Sequence, residues 1–159
     1  MLNRKPFVSK KCIKHANVGS FKYSGSKPIL QKNGGHGEDN ILYLKSKKID
    51  CEITMEYNNG VRKGNIPIHK IGKQRTKGEH AWFPKNWTTK TIKAAGQHVM
   101  SLKKNKKRKD HQPYTGYYKG VKVGTYTNKG FISTIYPWYI QKGGFKNDIR
   151  KILWNIQIT

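Results

Sequence analysis

Carboxylates, cysteines and long apolar runs are all scarce in this chain. Of 159 residues, eight are Asp or Glu and two are Cys, and no apolar run exceeds a few residues. So few carboxylates make a two-metal phosphodiesterase centre hard to assemble, because such centres draw several Asp or Glu around their ions. Cys12 and Cys51 form neither a metal spacing nor a CxxC pair. They could join in one disulfide, and they leave the redox compartment open. The six histidines are spread out, with no HxxxH and no Cys/His cluster, so neither a metal site nor another cofactor is expected. A bilayer-spanning helix needs about 20 apolar residues, and no stretch supplies them. The start "MLNRKPFVSK" is basic with no apolar segment behind it, so it does not read as a signal peptide. The chain is compatible with being a piece of something larger.

Positive charge is what the chain has in excess. Its 33 Lys+Arg give a formal net charge of +25 and a pI of about 10.2. Self-repulsion of that size opposes compaction and points to a polyanionic partner. A nucleic acid fits best, since each neutralised phosphate releases counterions; an acidic protein partner is compatible with it. Hydrophobic residues make up 35% and mean hydropathy is -0.84, yet nine Tyr, five Phe and four Trp argue for a folded core. The length suits one domain, read as residues 13–159 behind a basic tail at 1–12.

The pattern along the chain is α+β with antiparallel sheets, after an irregular or helical N-terminal part. Strand structure is expected from "ILYL" at Ile41, then through "CEITMEY", an "NNG" turn and a return strand "VRKGNIPIHKI". "FPKNWTTKTIKAAGQHVMSLKKN" predicts a helix entered at Pro84 and Asn86, with Ile92, Ala95, Val99 and Leu102 on one face. Trp82, Phe83 and Trp87 read as packing at its entrance. "YYKGVKVGTY" and "FISTIYPWYI" predict a second strand pair, and "IRKILWNIQIT" a final strand or short helix. The run "KKNKKRKD" is a solvated loop whose Lys103, Lys104, Lys106, Lys107 and Arg108 could hold a nucleic-acid backbone.

Histidines with few carboxylates suit one chemistry in particular. RNA carries its own nucleophile, the 2′-OH, and its cleavage needs only a base, an acid and a cation. Imidazole titrates near neutrality and can fill both proton-transfer roles. The stretch "QKNGGHGEDN" puts His36 on glycine-rich backbone, which allows close approach of another molecule, although taken alone it reads first as a common surface turn. Thr134 and Tyr136 alternate in a strand and share a face, which could be core or site. Tyr114, Tyr117 and Tyr118 could stack on unpaired bases or pack within a sheet. His69, His98 and His111 read as surface or satisfied residues.

Four elements recur in order: "IKHANVG", "NGGH", "KGEHAWFPKNWT" and "STIYPWY". With these the chain resembles the bacterial branch of the EndoU ribonucleases, over roughly residues 13–140. The resemblance implies a fold of the barnase–EndoU–colicin–RelE group, related to ribonuclease A. It implies a metal-independent endoribonuclease leaving 2′,3′-cyclic phosphate and 5′-hydroxyl ends, often 3′ of a uridine. His36 matches the histidine that takes the 2′-OH proton and His15 the one that protonates the leaving oxygen, roles that could be exchanged. Lys77, with Lys73 as fallback, matches the lysine that offsets charge on the phosphate. Thr134 and Tyr136 match the pair beside base and ribose. Where relatives carry Ser or Thr to read the pyrimidine, this chain has Ala81, which leaves the cleaved nucleotide open. Relatives are commonly C-terminal toxin modules of secreted or contact-delivered proteins. This implies contact-dependent growth inhibition inside the target-cell cytoplasm, a transfer RNA target at the anticodon loop, and an acidic immunity protein. The alternative class is a non-catalytic RNA- or ribosome-binding protein, for which charge and aromatics suffice.

Overall fold

A computed structural model of the chain describes residues 4–107 and 109–146. Arg108 and the expected C-terminal element "IRKILWNIQIT" lie outside the described residues. Helix α1 spans Lys10–Asn17, capped by Ser9, whose hydroxyl accepts from the Cys12 N–H. Val8 and Cys12 sit in the core, so ordered packing begins inside the stretch read as a tail. A hairpin follows, β1 (Ser20–Ser24) with β2 (Lys27–Asn33), where an irregular segment was expected.

The "ILYL" stretch is helical, not a strand: α2 covers Glu38–Ser46. Glu38 and Asp39 occupy its first turn, where negative charge complements the helix dipole, and Asn40 and Leu44 bury one face at i, i+4 spacing. Strands β3 (Glu52–Glu56) and β4 (Arg62–Asn65) pair antiparallel. The expected return strand stops at Asn65. A short helix α3 (Gly72–Thr76) then leads to β5 (His80–Trp82), which pairs with β4.

Helix α4 runs Thr89–Ser101 and is capped by Thr88, not Pro84 or Asn86. Residues ahead of it form a buried bend in which Phe83 and Trp87 stack at 4.9 Å. Ile92, Ala95 and Val99 are fully buried, as their spacing predicts, and Leu102 is half-buried. This face packs on a three-stranded antiparallel sheet of β6 (Tyr114–Tyr118), β7 (Val121–Asn128) and β8 (Phe131–Pro137). The run read as one strand is split by a turn at Lys119 (φ 48°) and Gly120 (φ 76°). Val121, Val123, Ile135 and Pro137 bury one side of this sheet, while Lys122, Tyr126, Thr134 and Tyr136 on the other are only half-buried. Cys12 belongs to the main core and Cys51 packs against a second cluster around Leu44, Ile66 and Trp82; both thiols are free.

Candidate active site

The glycine-rich stretch is a strap laid across the end of α1. A helix leaves its last carbonyls without partners, and here three successive strap amides meet them. Gly35 N donates to His15 O (2.9 Å), His36 N to Ala16 O (2.6 Å) and Gly37 N to Asn17 O (3.0 Å). Such backbone-to-backbone contact leaves no room for side chains. A Cβ on Gly34 would strike the His15 carbonyl, and one on Gly37 the Asn17 amide. Gly34 and Gly35 also adopt φ of 69° and 73°, which glycine tolerates. Capping α1 therefore brings His36 beside the helix turn that carries His15.

Beneath the strap lies a buried polar network. Gln31 Nε2 donates to Gly34 O (3.0 Å), Asn40 Nδ2 to Gln31 Oε1 (3.0 Å) and to Val18 O (2.8 Å), and Trp82 Nε1 to Asn40 Oδ1 (3.0 Å). On the far side Phe83 N donates to His36 O (2.7 Å). An Arg62–Glu38 ion pair braces this corner, with Arg62 also donating to Phe83 O.

These contacts fix the His36 ring. Its Nδ1 is 2.8 Å from the Ala81 carbonyl, which only accepts, so Nδ1 carries the proton and Nε2 keeps a lone pair. Burial pushes the His36 pKa down to about 4; the Ala81 bond works against this, and His15 and His69 lower it further. At neutral pH the ring is an uncharged base.

His80 was passed over in reading the sequence. It is fully buried and stacks on His36 with centroids 4.9 Å apart and planes 3° apart. Its Nε2–H donates to Gly35 O (2.7 Å), the same strap. Nδ1 lies 2.7 Å from the Gln74 side-chain oxygen. Burial first, then the neighbouring His36, hold its pKa well below the usual value, so the ring is neutral. Nδ1 must then accept, which requires the Gln74 amide turned to present N–H. His69 lies 5.4 Å from His80 with its ring tilted by 49°; it is buried, accepts from Ile71 N and also borders the cleft, where a surface or satisfied residue was expected.

The opposite wall comes from β8. Thr134 and Tyr136 line the cleft while Ile135 between them enters the core. The Tyr136 ring is 6.0 Å from His36 and stacks at 5.6 Å on Tyr126. It lies across Gly124, where a Cβ would come within 2.5 Å of the ring. Burial, then Tyr126, raise the Tyr136 phenol pKa, so the hydroxyl stays protonated. His15 lines the same cleft, its Nδ1 2.8 Å from Ser20 Oγ, and burial lowers its pKa.

The cleft encloses about 1320 Å³, above the roughly 300–1,000 Å³ of a small-molecule pocket. Its lining contains His15, His36, Thr134 and Tyr136, three lysines (Lys11, Lys14, Lys32) and, among the described residues, no carboxylate. Lys77 and Lys73 are not part of that lining. Lys77 is the exposed C-cap of α3, and the next residue, Gly78, donates its N–H to the Asn65 side chain at the end of β4. Ala81 is buried in β5 and its carbonyl is taken by His36. Lys103, Lys104, Lys106 and Lys107 are exposed on the loop after α4. That loop ends at His111, which does line the cleft, beside Asp110 held by Thr127 and Gly130.

A basic α+β domain with two histidines in an open cleft that carries no carboxylate among the described residues has the make-up of a small nuclease. A family model described as Bacterial EndoU nuclease matches residues 14–139. The chain belongs to this family, and the domain is a nuclease domain. No curated protein and no solved structure matches the chain.

Proposed function

We propose that the domain is a metal-independent endoribonuclease. His36 Nε2 takes the proton of a ribose 2′-OH, and O2′ attacks the adjacent phosphorus. The P–O5′ bond breaks and His15 gives its proton to the departing O5′, leaving a 2′,3′-cyclic phosphate and a 5′-hydroxyl. The observation that carries the assignment is the His36–Ala81 hydrogen bond, which leaves a neutral ring with a free lone pair in a cleft lined by a second histidine. Lys14 and Lys32, which border the two histidine segments in the cleft lining, are assigned to offset phosphate charge. Lys77, offered by family resemblance, is exposed outside that lining. Thr134 and Tyr136 hold the nucleoside at the cleaved bond.

Unpaired loops such as the transfer RNA anticodon loop are the proposed substrate, because their bases are already unstacked. The charge of +25 also supports the toxin reading: a C-terminal module delivered into a target-cell cytoplasm and neutralised by an acidic protein covering the cleft. The test is incubation with total RNA in EDTA, with chemical analysis of fragment ends. Cyclic-phosphate fragments that disappear with His36→Ala while RNA binding persists support the enzyme. Tight binding with intact RNA would favour the non-catalytic RNA binder.

A further inference from the structure

Beyond Tyr136 the outward face of the β6–β7–β8 sheet continues as a row of rings and ammonium groups. Opposed residues of an antiparallel ladder project on the same side. Tyr117 pairs with Lys122, and Trp138 N donates to Lys122 O (2.8 Å), so Tyr117, Lys122 and Trp138 stand side by side. The Lys122 ammonium lies 5.4 Å from the Trp138 ring centroid, and the Lys142 ammonium 5.0 Å from that of Tyr117. Trp138 stacks on Tyr139 with centroids 4.9 Å apart. Both line the cleft that holds the histidines, and Tyr139 is 51% exposed.

Core packing does not account for these rings, because α4 covers the other face of the sheet. Trp138 follows directly on the end of β8, and its ring centroid lies 6.0 Å from that of Tyr136. With Thr134 and Tyr136 holding one nucleoside, the rings just past the end of β8 in the same cleft lining are placed to face its neighbour. We infer that Trp138 and Tyr139 form a stacking subsite for an unpaired base flanking the scissile phosphodiester, with Lys122 and Lys142 meeting adjacent phosphates. The ligand class is single-stranded RNA longer than a dinucleotide. Aromatic faces interleaved with cations take any base, so the subsite adds affinity without sequence preference. This subsite rests on the endoribonuclease reading.

Two measurements test it. In the first, kcat/KM is compared on the dinucleotide uridylyl-adenosine and on a heptauridylate, in EDTA. Tyr139→Ala, at an exposed position, and Trp138→Ala should each lose about tenfold more on the heptamer than on the dinucleotide, with Trp138→Phe recovering most of the difference. In the second, labelled heptauridylate is titrated against the His36→Ala protein, with and without Tyr139→Ala. Weakening of about tenfold is expected, with a duplex of the same length or polyglutamate competing poorly. Equal losses on both substrates, no loss on the heptamer, or equal competition by duplex or polyglutamate would overturn the subsite. The titration reads the rings even where the parent cleaves neither substrate, so failure of the subsite and failure of the catalytic reading remain distinguishable.

Discussion

Replacing Gly35 by Ala perturbs the strap at its tightest point. The new Cβ would lie 2.5 Å from both Asn40 Nδ2 and Gln31 Nε2. Those amides are fully buried and bonded to each other and to Val18, Gly34 and Trp82, so neither can swing aside. Ordinary contact begins at 3.4 Å, so the strap must lift by about 0.9 Å (3.4 less 2.5). At φ of 73° an L-residue also costs about 1–2 kcal/mol, and lifting stretches two strap bonds worth about 1 kcal/mol each. Gly35→Ala is expected to lose about 2–4 kcal/mol of stability in denaturant titrations. A displacement of that size at the proposed general base is expected to cost on the order of 100-fold in cleavage rate. The assay is initial-rate cleavage of a fluorescent RNA in EDTA, at a temperature where both proteins are folded. Gly25→Ala is the control: φ is 60°, but a Cβ there meets nothing within 4 Å. It should lose about 1–2 kcal/mol through backbone strain alone and cleave like the parent. A folded Gly35→Ala protein that cleaves at the parental rate would refute the strap as the element positioning His36.

The free-enzyme profile of kcat/KM should be a bell on the acid side of neutrality. Its acid limb lies at about pH 4, where His36 gains a proton, and its alkaline limb below pH 6.5, where His15 loses one. Stability should fall on acidification between about pH 6.5 and 4, because the unfolded chain protonates these positions first and His36 and His69 both sit near 4 when folded. Each contributes about 1.4 kcal/mol per pH unit inside that window, and His36→Gln should flatten the slope seen by equilibrium unfolding. Lys32→Ala should reduce kcat by about 10²-fold and Lys77→Ala by far less, as single-turnover rates will show; the reverse order would return the charge-stabilising role to Lys77.

The legible parts of the site were those whose backbone demands a residue type. Gly34, Gly35 and Gly37 mark a stretch open to close approach or to a plain surface turn; the approach is not by another molecule but by α1, on which the strap is seated. The α4 face read correctly because Ile92, Ala95 and Val99 repeat at helical spacing over several turns. The "ILYL" run misled because four apolar residues fit a strand or a buried helix equally, and the deciding signal lay upstream in Gly37, Glu38 and Asp39. The turn at Lys119 and Gly120 was masked by β-forming residues on both sides. His80 lies inside the element "KGEHAWFPKNWT" but is given no role by it. It reaches His36 through the pairing of Gly64 with His80, a contact created by tertiary structure. Its alternation with buried Trp82 was the one available hint that its ring faces inward.

In the proposed mechanism the ribose 2′-OH, deprotonated by a neutral His36, is the nucleophile. An RNA oligonucleotide with one preferred cleavage position, and the same oligonucleotide with a single 2′-deoxy substitution on its 5′ side, tests this directly in EDTA. Cleavage of the first to a 2′,3′-cyclic phosphate is expected and none at the substituted bond of the second, with binding unchanged. Cleavage of the deoxy-substituted bond at a comparable rate would contradict it.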